Sequence, residues 1–410
     1  MSILSTEQFN ERLARLAMLG VATGVNLQSG QELIVNAPLE AAALVRHISR
    51  AAYRRGARLV TCLYDDPDMI RARFDLGTDD ALEYAAPWMS RGIAQALDSG
   101  AARLYIAGPY PDLLAGIAPE RVLRAHSAAA LAISEESRYT SESRINWSVL
   151  PFVTASWARM VFPDLAPDVA SEQLWEAVFE VARVHCPDPV AAWQRHIASL
   201  NSRRQLLQTK RFDALHFRDG RTDLRIGLVR DHRWVGGATT AANGIESVCN
   251  IPNEELFTCP HRSRAEGRVF LSKPLVLAGE LIDDVCIDFH DGAAVSIRAG
   301  KGQSVLDALV GSEDASRRLG EVALVAHSSP VSARGILFYN ALLDENAATH
   351  FAFGQAYGAC LSPGVAPEET GANESRIHID CMFGTAAMDV DGISPDGAVE
   401  PIMRAGEFVL

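Results

Sequence analysis

A histidine and an aspartate two residues apart are the clearest chemical signal in the sequence. His378 and Asp380 alternate with apolar residues in the segment ESRIHIDCMFG. Side chains two residues apart on a β-strand point to the same face. An imidazole and a carboxylate on one face suit zinc or a similar divalent ion. The same pattern also fits the polar outer face of an edge strand, so the pair alone does not decide between these interpretations.

Two glutamates lie beside apolar segments. Glu255, preceded by Glu254, occurs in NIPNEELFT, and Glu321 leads directly into Val-Ala-Leu-Val in the segment RRLGEVALVAH. A carboxylate at the start of a buried strand costs free energy unless it is paired or binds a metal. Each residue also has an ordinary interpretation, as a solvated loop acid for Glu255 and an exposed strand start for Glu321.

A second histidine and a tyrosine occur in the segment Leu342–Ala359. Its pattern predicts a helix with Asp344 as the N-cap. His350 and Tyr357 are seven residues apart, so a helix would place both on one face, separated by two turns. The alternative is that both rings pack in a core.

Together these segments supply two glutamates, two histidines and one aspartate, without a thiolate. Such a set suits two metal ions about 3.5–4 Å apart, with one carboxylate bridging them and a hydroxide held between them. The chain contains no HExxH segment, which excludes a single-zinc hydrolase of that type.

The elements that must position these residues change character along the chain. In the N-terminal half strands alternate with helices, which predicts parallel βαβ units and an α/β domain. The predicted strands are Gln31–Pro38, Arg58–Tyr64 and Arg103–Ala107, and the predicted helices are Leu39–Gly56, Ala81–Ser99, Pro119–Glu136, Leu174–His185 and Val190–Leu207.

From Asp213 onward the sequence becomes rich in short strands. Leu215–Leu228 predicts a hairpin with a turn at Asp219–Gly220, and Arg268–Leu277, Asp284–Phe289 and Ala293–Ala299 predict further strands. We therefore expect an α/β domain over residues 1–205 and an α+β, β-rich catalytic domain over residues 206–410.

Composition narrows the class of function. The 410 residues are 48% hydrophobic and 22% charged, with a formal net charge of −13. This acidity argues against nucleic acid and anionic membranes as partners. No apolar run is long enough to span a bilayer, and the first twenty residues lack the pattern of a signal peptide. The seven cysteines are scattered without a CxxC, which favours reduced thiols and a cytoplasmic location.

Several motifs resemble those of the M29 family of metallo-aminopeptidases, the thermophilic aminopeptidase T type. They are NIPNEELFT, LGEVALV, SSPVSARGILFYNALLDENAATHFAFGQAY, and HIDCMFG followed by DGI. Weaker matches in the N-terminal half extend the resemblance over essentially the whole chain. The resemblance implies five metal ligands, of which Glu321 would bridge, and a catalytic role for Tyr357 in stabilising the oxyanion. The implied ligands are Glu255, Glu321, His350, His378 and Asp380.

The implied activity is removal of the N-terminal residue from short peptides by a metal-bound hydroxide at a two-metal site. Another amide could be the substrate of the same machinery. The expected cofactors are two divalent ions, with zinc favoured and cobalt, manganese or magnesium as alternatives. The resemblance also implies a homodimer. Asn253 and His261 depart from the family, which usually has threonine and an acidic residue there, so the substrate preference is open.

Two rival interpretations use the same residues differently. Some relatives of the family are mononuclear non-haem iron dioxygenases that open hydroxypyridine rings, and these need two histidines and a carboxylate. Here His378 and Asp380 would be joined by another histidine, for which His327 is a candidate. A non-catalytic binding protein is the second rival, but it would be expected to have lost at least one of the five ligands.

Overall fold

The first half of the chain alternates helices and strands. The structure, a computed structural model, describes residues 5–277, 280–362 and 367–410. Its first elements are α1 (Thr6–Leu19), β1 (Glu32–Pro38), α2 (Ala42–Arg54), β2 (Leu59–Asp65), α3 (Pro67–Leu76), α4 (Asp79–Glu83), α5 (Pro87–Asp98), β3 (Ala102–Ala107), α6 (Pro119–Ala132), α7 (Ser134–Ser141), β4 (Trp147–Pro151), α8 (Ala155–Val161), α9 (Pro167–Val181) and α10 (Pro189–Lys210).

Strands β1–β4 form a parallel sheet in the order β2-β1-β3-β4. Its interior strands are apolar, and Leu33, Val35 and Leu104 are fully buried. Parallel strands are joined by helices that cover the sheet, which gives such strands continuous apolar runs instead of strict alternation. The predicted parallel α/β arrangement is therefore present in this half.

The predicted helix Ala81–Ser99 is two helices. Thr78 caps α4 by accepting a hydrogen bond from the backbone N–H of Ala81, and Pro87 opens α5. A proline disfavours helical backbone in the residue before it, so the helical pattern is interrupted between Glu83 and Pro87. The predicted element was wrong in its continuity and right in its type.

The second half is dominated by antiparallel strands. Its elements are β5 (Ala214–Arg218), β6 (Asp223–Leu228), β7 (Thr239–Thr240), β8 (Glu246–Ser247), β9 (Glu255–Thr258), β10 (Pro260–Phe270), β11 (Leu275–Leu277), β12 (Glu280–His290), β13 (Ala293–Lys301), α11 (Gln303–Val310), β14 (Leu319–Val325), α12 (Pro330–Ala333), α13 (Ala341–Asp344), β15 (His350–Gly354), α14 (Pro367–Thr370), β16 (His378–Met382), β17 (Asp389–Ile393), β18 (Val399–Arg404) and β19 (Glu407–Phe408).

Two antiparallel sheets organise this half. A nine-stranded sheet has the order β11-β12-β10-β6-β5-β17-β18-β19, with β13 beside β12, and a four-stranded sheet has the order β16-β15-β14-β9. The hairpin β5–β6 confirms the turn predicted at Asp219–Gly220. The predicted strand Arg268–Leu277 is instead the end of β10 and the separate strand β11, interrupted around Lys273 and Pro274.

The main core of this half lies between the two sheets. Phe217, Val269 and Ile287 of the nine-stranded sheet share one buried cluster with Val322 and Phe351 of the four-stranded sheet. The ring of Phe351 meets that of Phe289 edge to face, with centroids 5.7 Å apart. One face of the four-stranded sheet is thereby committed to the core, which leaves the other face for polar residues.

The chain divides into two units, Met1–His196 with Ala238–Pro252, and Ile197–Gly237 with Asn253–Leu410. The parallel sheet belongs to the first unit and both large antiparallel sheets to the second. The mixed architecture of parallel and antiparallel sheets is thus confirmed, whereas the domain boundary at residues 205–206 stays a prediction. All seven cysteines are free thiols. Among the described residues, no helix is both long and apolar enough to cross a membrane.

Candidate metal centre

The four-stranded sheet carries all five of the predicted metal ligands. Glu255 opens β9, Glu321 lies in β14, His350 opens β15, and His378 and Asp380 lie in β16. The four strands make up one sheet in the order β16-β15-β14-β9, so ligands from segments far apart in the sequence come together on it.

Strand register places the five side chains on one face. Ala352 pairs with Glu321 on one side and with Asp380 on the other. His350 is two residues before Ala352, and His378 pairs with Gly354, two residues after it. Residues two apart share a face, and directly paired residues also share a face. Glu255 pairs with Val325, four residues after Glu321, and therefore joins the same face.

The alternate residues of these strands form the opposite, core-facing side of the sheet. They are all buried in the cluster between the two sheets, and they are Leu256, Val322, Leu324, Phe351, Phe353, Ile379 and Cys381. Because these large side chains hold each strand in register, a slip by one residue would move every ligand into the core. The core thus sets the positions of the ligands.

Small residues leave space in the middle of the polar face. Ala323 and Ala352 project few atoms between the flanking acids and histidines, and Gly354 projects none. Gly354 also has a positive φ of 97°, and a Cβ atom there would lie 2.1 Å from the carbonyl oxygen of Ile377. Only glycine fits that position, which ends β15 beside His378.

The predicted helix over Leu342–Ala359 was wrong. The segment contains the short helix α13, a 3-10 turn at Glu345–Ala347 and then strand β15. The N-cap is Asn340, not Asp344, whose carboxylate instead accepts hydrogen bonds from the backbone N–H groups of Phe338 and Asn340. Alternation of Phe351 and Phe353 with small residues is a strand pattern, and pairing with β14 and β16 decided the conformation. His350 and Tyr357 consequently do not share a helix face.

Two groups of side chains in this face could each hold an ion. Glu255, Glu321 and His350 form one group, and Glu321, His378 and Asp380 form the other, with the possible ligand atoms of each group within 4.8 Å of one another. The Nε2 atom of His350 lies 3.3 Å from Oε2 of Glu255 and 3.8 Å from Oε1 of Glu321. The Nε2 atom of His378 lies 3.3 Å from Oε2 of Glu321 and 3.3 Å from Oδ1 of Asp380. Glu321 belongs to both groups and presents one oxygen to each.

Backbone carbonyl groups orient both imidazoles. The Nδ1 atom of His350 lies 3.0 Å from the carbonyl oxygen of Ala348, and that of His378 lies 2.8 Å from the carbonyl oxygen of Gln355. A carbonyl oxygen can only accept, so each Nδ1 donates and each Nε2 faces the carboxylates. This second hydrogen bond is the usual support of a metal-binding histidine.

Electrostatics in the centre favour positive charge. Burial alone would lower the pKa of His378, but the carboxylates of Asp380 and Glu321 outweigh it and raise that pKa to about 10. The pKa of His350 is likewise raised well above its ordinary value, against burial, by Glu255 and Glu321. Burial raises the pKa of Glu255, and the neighbouring imidazole of His350 opposes that rise. The surplus of carboxylates therefore favours positive charge at this position, whether protons or metal ions carry it.

Unsatisfied buried atoms show that the donor set fits a metal. Glu255 and Glu321 are only 6% and 3% exposed. The Oε2 atom of Glu255 and the Nε2 atom of His378 are buried and make no hydrogen bond of good geometry, although each lies 3.3 Å from a polar atom of another ligand. Buried polar atoms are nearly always partnered, and these two point toward the neighbouring ligand groups. Oxygen and imidazole nitrogen donors of this kind suit divalent ions.

Tyr357 lies beside the centre although it is not on a helix with His350. Its ring centroid is 4.6 Å from that of His378 and 5.7 Å from that of Phe257. Burial raises the pKa of its hydroxyl, and the charges of Glu321 and Asp380 raise it further. The hydroxyl therefore keeps its proton at neutral pH and can donate a hydrogen bond.

A further carboxylate of the centre, Glu345, was missed by the sequence analysis. Its pKa is raised well above the ordinary value, first by burial and then by the charges of Glu255 and Asp380, which shows that it shares their electrostatic environment. The predicted helix obscured it, because three successive polar residues Asp344–Asn346 near a helix start suggest a solvated turn. The turn in fact packs against β16, which carries two of the ligands.

Three other residues singled out from the sequence are in neither ligand group among the described residues. The Nδ1 atom of His327 lies 3.5 Å from Oγ of Ser332. The side chain of Asn253 accepts a hydrogen bond from the backbone N–H of Gly237. His261 lies against Gly371, with Nδ1 3.0 Å from Oγ of Ser263. His327, the candidate for the additional histidine in the iron dioxygenase interpretation, is thus in neither group, and the second histidine of the centre is His350.

The donor set and the tyrosine hydroxyl beside it fit the class of metal-dependent hydrolases. Comparison with known proteins specifies it further: the family described as thermophilic metalloprotease (M29) matches residues 9–408. The chain belongs to the M29 family of metalloproteases.

Individual relatives agree with this assignment. Aminopeptidase T of Thermus thermophilus is 43% identical over 407 residues, which are 98% of this chain and 100% of the relative. Aminopeptidase 2 of Geobacillus stearothermophilus is 39% identical over 406 residues, 98% of each chain. The solved structure titled wild-type AmpT from Thermus thermophilus has a TM-score of 0.92 and covers 98% of this chain and 100% of its own. The predicted class, an enzyme of the metallo-aminopeptidase type, is confirmed.

Proposed function

We propose that this enzyme removes the N-terminal residue from short peptides at a centre that holds two divalent ions. The observation that carries the two-ion proposal is Glu321, whose two oxygens face two different ligand groups. One carboxylate between two groups is the arrangement expected of a bridging ligand.

The charge of the centre supports the same number of ions. Four carboxylates surround it, namely Glu255, Glu321, Glu345 and Asp380. Their total negative charge equals the positive charge of two divalent ions when both histidines are neutral. With a single divalent ion, the other two charges would have to be neutralised by protons on the histidines or on Glu255 and Glu345, whose pKa values are raised.

We assign Glu255, Glu321 and His350 to one ion, and Glu321, His378 and Asp380 to the other. Divalent ions held there would polarise the scissile carbonyl group and lower the pKa of the attacking water. Tyr357 would donate a hydrogen bond from its hydroxyl group to the carbonyl oxygen as negative charge develops on that oxygen. Glu345 would add negative charge on the Glu255 side without belonging to either ligand group.

Nitrogen and oxygen ligands accept several metals, so the ion follows from availability as much as from geometry. Zinc is our first proposal, and cobalt, manganese and magnesium are the alternatives. Two further proposals come from the resemblance and the cysteine pattern: the enzyme is a homodimer, which light scattering tests, and it works in the cytoplasm, which cell fractionation tests.

A pair of substrates tests the aminopeptidase proposal. Leucyl p-nitroanilide has a free amino group, and in N-acetyl-leucyl p-nitroanilide an acetyl group on that nitrogen removes its charge and its ability to bind a metal. We expect hydrolysis of the first and none of the second, with loss of activity after chelation and recovery on adding metal. Equal cleavage of both compounds would contradict exopeptidase action and favour a general amidase.

A further inference from the structure

Glu255 stands at the end of an edge strand. It is the first residue of β9, which among the described strands forms a ladder with β14 and, on its other side, a single bridge from Phe257 to Val235. The segment before it, Asn253–Glu254, lies outside the ladder. A ligand at such a position needs support from outside the sheet to keep its geometry.

A buried amide supplies that support. The backbone N–H of Glu254 donates to Oδ1 of Asn346 at 2.6 Å. Asn346 is 1% exposed, and its Nδ2 atom donates to the carbonyl oxygen of Leu342 at 3.0 Å. One partner is a donor and the other an acceptor, so only one orientation of the amide satisfies both. The side chain is therefore held at both ends.

The same residue is anchored through its backbone. Its carbonyl oxygen accepts a hydrogen bond from Oγ of Ser329 at 2.9 Å. Ser329 also caps α12 by accepting from the backbone N–H of Ser332. Asn346 is thus fixed to α13 and α12 and reaches from there to the strand that carries Glu255.

The hydrogen bond between Glu254 and Asn346 lies next to two acids of the metal centre in the sequence. Asn346 directly follows Glu345, and its partner Glu254 directly precedes Glu255. Each acid is thus one residue from the hydrogen bond between Glu254 and Asn346, and like charges repel each other. A neutral hydrogen bond one residue from each acid can hold them together before any ion is bound.

We propose that Asn346 is a positioning residue that sets the separation of Glu255 and Glu345 and so presents the centre ready to bind its ions. This inference rests on the proposed function, since it assigns both acids to a metal centre. A residue that only stabilised the fold would lower the unfolding temperature of the metal-free chain and leave the affinity for ions unchanged. A positioning residue must lower the affinity for ions in a chain that still folds.

Calorimetric titration of the metal-free full-length protein with Zn²⁺ tests the proposal without using activity. In Asn346→Ala we expect the affinity to fall about tenfold to a hundredfold, the range for groups that orient metal ligands. The control is Asn146→Ala. Asn146 is fully buried in the other unit and donates to the carbonyl oxygen of Val25 at 2.6 Å. It should lower the unfolding temperature and leave the affinity within about twofold of the parent, the scatter of unrelated sites.

Each outcome decides the matter. Parent-like affinity in Asn346→Ala would overturn the positioning role while leaving the proposed function standing. Failure of the parent protein to bind divalent ions would overturn the proposed function, and the positioning role with it. If Asn346→Ala does not fold, Asn346→Gln decides, because it keeps both hydrogen-bonding groups but displaces them by one methylene. Unchanged affinity in a folded Asn346→Gln would equally overturn the proposal.

Discussion

Glu321 and Asp380 pair with the same residue, Ala352, from opposite sides of β15. Directly paired residues in an antiparallel sheet have Cβ atoms about 4.5–5.5 Å apart. A small residue between two acids therefore creates a negatively charged recess with a floor of one methyl group. The recess is a product of strand register, and the ligand groups on either side of Glu321 depend on it.

A larger side chain at Ala352 should exclude the ions from the recess. In Ala352→Val, two additional methyl groups project between Glu321 and Asp380, and we expect the affinity for divalent ions to fall about a hundredfold. Phe351→Leu is the matched control, because Phe351 lies next in the strand and faces the core. It should cost about 1 kcal/mol of stability and leave the stoichiometry of bound metal unchanged. A metal-replete Ala352→Val would show that the ions do not lie over this residue.

Removal of the shared carboxylate charge should disable both ion positions at once. For Glu321→Gln we expect turnover to fall at least about 10³-fold, equivalent to about 4 kcal/mol of transition-state stabilisation. Elemental analysis should show loss of both ions. Asp391→Asn, which changes a buried aspartate paired with Arg218 and Arg404, should retain both. Retention of one full ion by Glu321→Gln would contradict the bridging role.

Tyr357 should act on turnover, not on metal binding. Tyr357→Phe retains the ring packed against His378 and removes only the hydroxyl, so we expect kcat to fall about 10²-fold to 10³-fold, as for loss of one oxyanion donor. Metal content should stay at the parent level. Tyr105→Phe, a change in the other unit, should have little effect on kcat. If Tyr357→Phe loses metal, the tyrosine is a ligand and its proposed role is wrong.

Metal binding should release protons at mildly alkaline pH. In the metal-free protein the pKa of His378 is about 10, raised from 6.5 by Asp380 and Glu321 against the effect of burial, so the imidazole is charged at pH 8. An ion requires it neutral, so the proton must leave and the apparent affinity should rise with pH up to about 10. Calorimetry in buffers of different ionisation enthalpy measures the number released.

The raised pKa of His378 also predicts how the stability of the metal-free protein depends on pH. A pKa raised on folding stabilises the folded chain fully below pH 6.5, and this contribution is lost as the pH rises toward 10. His378→Asn should reduce that dependence to the part due to His350 and release about one proton fewer on binding metal. Binding at pH 8 without proton release would mean that the histidines are already neutral and that the centre is less negative than described.

The sequence was informative wherever the local pattern and the tertiary environment agree. His378 and Asp380 alternate with apolar residues, and the strand predicted for them is β16. Glu321 precedes a run of apolar residues, and that run is the buried strand β14. In both cases the pattern that marks a strand also marks which face its polar residue occupies.

Prediction failed where the pairing of strands overrides local preference. Leu342–Ala359 has the composition of a helix, but strand β15 forms within it because Phe351 and Phe353 pack into the core between two sheets. Glu345 was missed for the same reason, since its place beside the centre follows from a turn that the helical interpretation removed. Ala352 could not be identified from its residue type, because its importance comes from its pairing with Glu321 and Asp380.

The central claim, a two-ion aminopeptidase, is tested most directly by adding Zn²⁺ or Co²⁺ stepwise to the metal-free protein while following leucyl p-nitroanilide hydrolysis and bound metal together. We predict that hydrolysis reaches its maximum at about two ions per chain, as expected for ions that share a bridging carboxylate. Full activity at one ion per chain, or one bound iron with no peptide hydrolysis, would contradict the account.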